Sequence, residues 1–64
     1  MEAILGVIED ILDRFENGSP EDKEEAKAEL QMNIGQFKSN LKGLADGGNA
    51  DAQGILDRLN KTGL

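Results

Sequence analysis

The side chains in this sequence that could do chemistry are carboxylates and hydroxyls, because it contains neither His nor Cys. Nucleophilic catalysis needs a base beside the hydroxyl, and the sequence offers no such base. The hydroxyl side chains are Ser19, Ser39 and Thr62. Two carboxylate pairs have helical spacing, Glu9 with Asp13 and Glu25 with Glu29, but they fall on predicted exposed faces where nothing activates them. We therefore expect no enzymatic activity, no catalytic residue, no cofactor and no small-molecule substrate.

One loop has a weak resemblance in composition to a calcium-binding loop, namely residues 46–51. An EF-hand loop needs oxygen side chains at its first, third and fifth positions. Counted from Asp46, the third and fifth positions are Gly48 and Ala50, which supply none. The segment is better explained as a turn followed by a helix cap, and we predict no metal site.

The charge of the chain argues against two classes of partner. The sequence has 13 acidic and seven basic residues, a net charge of −6, and its Lys and Arg residues are scattered. Phosphate recognition needs clustered Lys and Arg, so neither nucleic acid nor an anionic membrane surface is an expected direct partner. The start of the sequence lacks the features of a signal peptide, and no stretch approaches the ~20 apolar residues that span a bilayer. We expect a cytoplasmic protein or a component of an assembled particle.

Helical periodicity and capping signals predict an all-α fold with a single domain over residues 1–64. The predicted helices cover residues 2–16, 20–45 and 50–61. Asn17-Gly18 ends the first helix, and Ser19-Pro20 with Asp22 is a capping-box start for the second. Asn49 is predicted to cap the third. The architecture should be a helical hairpin plus a short third helix, as a small three-helix bundle or an oligomeric helical assembly.

The apolar face of the first helix is wider than the stripe available to cover it. Seven of the twelve residues from 4 to 15 are large and apolar. The second helix offers a narrow heptad seam, namely Leu30, Ile34, Phe37, Leu41 and Leu44. The excess has two flanks, with Leu5 and Leu12 on one side and Val7 on the other. We therefore predict a partner interface that comprises Leu5, Val7, Leu12, Phe15 and Leu56.

Helix lengths predict that the first helix runs back along residues 20–34 and that the third meets it near the middle of the second. The third helix could pack within its own chain or swap through Gly47-Gly48. Residues 11–15 (ILDRF) recur as residues 55–59 (ILDRL). This repeat is either chance or a sign that the first and third helices have similar roles. Met32, opposite the apolar stripe, is either a lone surface residue or, with Ala28, a contact for a second neighbour.

These observations predict a non-enzymatic protein–protein interaction or assembly module that acts through apolar helix faces. Its partner would be a further copy of the chain, a larger protein, or both. Small acidic helical chains of this type are common among phage and bacterial assembly and regulatory factors. The alternative is an inhibitor that occupies a basic, nucleic-acid-binding surface with an acidic tip made of Glu21, Asp22, Glu24 and Glu25.

Overall fold

The computed structural model describes residues 3–64, which form three helices and no strand. They are α1 (Ala3–Asn17), α2 (Pro20–Asp46) and α3 (Ala50–Lys61). The predicted all-α architecture, a helical hairpin with a short third helix, is confirmed as a small three-helix bundle. The helix boundaries agree with the prediction within one residue, except that the predicted start at residue 2 lies outside the described residues.

The capping residues fix where the helices begin. The amide of Asp22 donates to Ser19 Oγ over 3.2 Å, and the amide of Ser19 donates to Asp22 Oδ2 over 3.4 Å. This pair is the predicted capping box at the start of α2. At the start of α3, the amide of Ala52 donates to Asn49 Oδ1 over 3.1 Å. Gly48 in the connection before it has φ +99°, a conformation that favours glycine.

The core lies where the three helices meet, and all three contribute to it. Its residues are buried, apolar and in contact as one cluster. They are Leu5, Ile8, Ile11, Leu12, Ala26, Leu30, Phe37, Leu41, Ala52, Ile55 and Leu59. No polar side chain in residues 3–64 is buried with them. The monomer therefore closes a core without help from another chain.

The expectation that Leu5 and Leu12 stay partly exposed on the monomer is wrong, because both side chains are fully buried within it; the partner interface itself stays a prediction. The flank of α1 that carries them faces α3: Glu16, one turn beyond Leu12, accepts a hydrogen bond from Arg58 of α3. Of the five predicted interface residues, only Val7 is exposed, at 52%. Phe15 and Leu56 are half-buried against the core.

The helices overlap more than predicted. Ile4 of α1 lines a groove with Ser39, Asn40, Gly43 and Leu44 of α2, beyond the predicted limit of residue 34. Arg58, near the end of α3, reaches Asp13 and Glu16 in the last turns of α1. Because α1 and α3 both run back along α2, they lie side by side and pack against each other. The molecule extends over 35 × 19 × 19 Å.

Candidate interaction surface

The charge of the chain is concentrated at one end of the bundle. Residues 9–29 hold nine acidic and three basic residues, whereas the rest of the chain holds four of each. The whole net charge of −6 therefore belongs to this segment, which we call the acidic end. The antiparallel hairpin brings the last turns of α1 and the first turns of α2 together there. The fold thus places acidic residues that are concentrated in one segment of the sequence at one end of the bundle.

Two arginines neutralise part of the acidic end and connect the helices. Arg14 Nη2 of α1 donates to Glu29 Oε2 of α2 over 3.1 Å. Arg58 Nη2 of α3 donates to Glu16 Oε2 over 2.7 Å and to Asp13 Oδ1 over 2.8 Å, both on α1. These hydrogen bonds, with Glu16 first, raise the pKa of Arg58 above its usual range. Three of the nine carboxylates are thereby used to hold the bundle together.

The arginine contacts give the ILDR repeat a structural meaning. Arg14 and Arg58 occupy equivalent positions in the two copies, and each bridges to a neighbouring helix. The partners differ, since Arg14 also lies 3.7 Å from Asp10 within α1, whereas Arg58 binds only α1 among residues 3–64. The repeat places an arginine at the same position in both copies, but the sequence does not identify the partners.

The four residues of the acidic tip all lie in the first two turns of α2. Asp22 is used in the capping box and is half-buried. Glu21, Glu24 and Glu25 are exposed, and none of them makes an ion pair within residues 3–64. At ~100° per residue these three point outward over roughly a 100° arc. The structure therefore gathers three uncommitted carboxylates on one outward surface.

Exposed apolar surface is sparse. Val7 and Met32, exposed at 52% and 84%, are the large hydrophobic residues that stand out from the described surface. The groove beside Ile4 is open and lined mostly by small or polar residues, Ser39, Asn40 and Gly43, with Leu44 at its end. The exposed apolar surface of the described residues is therefore much smaller than the wide apolar face that the sequence predicted on the first helix.

None of the helices in residues 3–64 is long and apolar enough to cross a membrane. Within the same residues, no three carboxylates come together as a metal-ion site would require. Comparison of the chain with protein-family models, with curated proteins and with solved structures gave no match.

Proposed function

We propose that this chain is a non-enzymatic protein–protein interaction module whose acidic end binds a basic surface of a partner protein. The observation that carries the proposal is the segregation of charge, with a net −6 in residues 9–29 and none elsewhere. Opposite charge on the partner would steer encounter and fix orientation, because complementary potentials raise association rates and disfavour wrong partners. A basic surface that normally binds nucleic acid would be a suitable partner, since it is built to receive regularly spaced negative charge.

The burial of the apolar residues favours this surface over the face of α1. An interface based on Leu5 and Leu12 would require the core to open, because both are fully buried. Glu21, Glu24 and Glu25 are available without any rearrangement, since they are exposed and form no ion pair within the described chain. The helix start does not depend on Glu24, because the cap is made by Ser19 and Asp22.

The test is binding of a fluorescent lysine-rich peptide, followed by NMR of the labelled protein and by anisotropy at several salt concentrations. We expect shifts confined to residues 9–29 and affinity that falls steeply as salt rises. The variant Glu21→Lys/Glu24→Lys should reduce affinity at least tenfold. A matched control, Asp46→Lys/Asp57→Lys, makes the same charge change at exposed positions outside the acidic end and should reduce it much less.

The proposal then requires competition with DNA. The protein should displace double-stranded DNA from a basic DNA-binding domain, and Glu21→Lys/Glu24→Lys should not. Equal losses of affinity in the two charge variants, or NMR shifts spread over the whole chain, would show that the peptide responds to net charge alone. Either result would refute a specific role for the acidic end.

A further inference from the structure

The exposed back of α2 carries a second heptad pattern that the packing of the monomer does not use. Six exposed residues follow one another in steps of three, four, three, four and three. We call them the outer seam: Glu25, Ala28, Met32, Gly35, Ser39 and Lys42. These steps are those of a coiled-coil seam. The core seam of α2, from Leu30 to Leu44, lies on the opposite side of the helix.

We propose that the outer seam is a contact between two copies of this chain, with the two α2 helices antiparallel around a twofold axis. In an antiparallel seam, the numbers of the two facing residues add up to the same value in every layer. If Met32 of one copy lies opposite Gly35 of the other, the neighbouring layers pair Ala28 with Ser39 and Glu25 with Lys42. Each layer occurs twice because the contact is isologous. From Glu25 to Lys42 the seam is therefore complementary to itself in size and in charge.

The central layer accounts for two features that the monomer leaves unexplained. Met32 is 84% exposed, the most exposed large hydrophobic side chain described. Gly35 lies in the interior of α2, and a Cβ there would meet nothing within 4 Å. A helix-interior glycine costs ~1 kcal/mol against alanine, and no packing contact in the monomer requires it. Gly43 and Gly54 are equally open, but of these glycines Gly35 is the one on the outer seam. In the dimer the Met32 side chain of each copy packs over the bare backbone at Gly35 of the other.

The charges on the outer seam favour a second copy of the chain as the partner and an antiparallel orientation of the two helices. The stretch between Glu25 and Lys42 on the outer seam carries no charged residue, and its two ends carry opposite charges. A parallel pairing would place Glu25 against Glu25 and bring two acidic ends together, which is repulsive. Antiparallel pairing sets Glu25 against Lys42 and moves the acidic ends apart. The complementary part of the seam ends there, because the next layer would place Glu21 against Asp46, two like charges that oppose the contact.

The experiment is sedimentation equilibrium of the full chain at concentrations up to roughly 1 mM, the range of weak interfaces. We expect a reversible monomer–dimer equilibrium. Gly35→Gln fills the space for Met32 and should weaken association roughly tenfold or more, although it should stabilise the monomer. The control, Gly54→Gln, alters an equally open helix glycine on α3 and should leave association unchanged. A chain that stays monomeric at every concentration would overturn the proposal.

Charge exchange and cross-linking test the register. Glu25→Lys and Lys42→Glu should each weaken the dimer about tenfold, because each creates two like-charge layers, and the double variant should restore it. Since the chain has no Cys, Ala28→Cys and Ser39→Cys can be mixed as separate proteins. Antiparallel pairing predicts a mixed disulfide in preference to either homodimer. A dimer insensitive to these changes would lie on another surface, and the proposal would be wrong.

Discussion

Replacement of Leu12 by alanine tests whether the first helix face belongs to the core or to an interface. Leu12 is fully buried on the flank of α1 where Glu16 pairs with Arg58 of α3, and truncation of a buried leucine costs ~2–5 kcal/mol. A domain of 64 residues has a free energy of unfolding of roughly 3–10 kcal/mol. Leu12→Ala should therefore remove a large share of the stability and lower the Tm by roughly 10–30 °C.

The assay is urea and thermal unfolding followed by helical circular dichroism, with solution mass measured in parallel. Val7→Ala is the matched control, because Val7 lies on the opposite flank of α1 and is 52% exposed. It should cost less than ~1 kcal/mol. Leu12→Glu should unfold the chain, since it would bury a charge without a partner. A core position for Leu12 is refuted if Leu12→Ala is as mild as Val7→Ala, or if Leu12→Glu yields folded monomers from a larger species.

Three further substitutions test the turn after α1, the interior of α3 and the contact between α1 and α3. Gly18→Ala should destabilise the protein by more than ~1 kcal/mol, because a Cβ there would overlap the Arg14 carbonyl oxygen and lie 2.6 Å from Asp22 Cβ. Gly54→Ala, where the space is open, should instead stabilise it by ~0.5–1 kcal/mol, and urea unfolding distinguishes the two signs. Arg58→Met should cost ~0.5–1 kcal/mol by loss of its two partly exposed ion pairs. If the loss of unfolding free energy in Arg58→Met is as large at high salt as at low salt, it comes from lost packing rather than from lost charge interactions.

The helices were predictable because their signals are local. Ser19, Pro20 and Asp22 form a start signal within four residues, and Asn49 gives another after Gly47-Gly48. Helical periodicity needs only the spacing of neighbouring apolar residues. The boundaries of α2 and α3 therefore follow from the sequence to within a residue.

The packing of α1 was not predictable in the same way. Its excess apolar surface has two flanks, with Leu5 and Leu12 on one and Val7 on the other. A single short helix covers one flank only, and which one depends on the side of the hairpin to which α3 returns. That side is set by the connection at residues 47–49 and by the fit of whole surfaces, which periodicity does not encode. The outcome buries Leu5 and Leu12 and leaves Val7 in solvent.

The outer seam escapes a search for apolar periodicity for a different reason. Only Met32 and Ala28 of its six members are apolar in the usual sense, and at Gly35 the useful property is an absent side chain. The pattern of side-chain sizes and charges on the outer seam can be recognised only once it is known that this side of α2 is exposed. The structure shows that all six positions are exposed.

The two proposed surfaces make different demands on α2 and are compatible in one molecule. The antiparallel contact uses the back of the helix, and of the acidic tip it engages Glu25 alone. Glu24 lies outside the paired layers, and Glu21 lies beyond the last complementary layer, opposite Asp46 of the other copy. A helix of 27 residues is ~40 Å long, so the dimer would present two acidic ends separated by roughly that length. A partner with two basic patches at matching separation would bind the dimer far more tightly than the monomer, by effective concentration rather than by any new contact. Gly35→Gln would then reduce that avidity and leave the affinity for a single basic patch unchanged, which separates failure of the seam from failure of the acidic end.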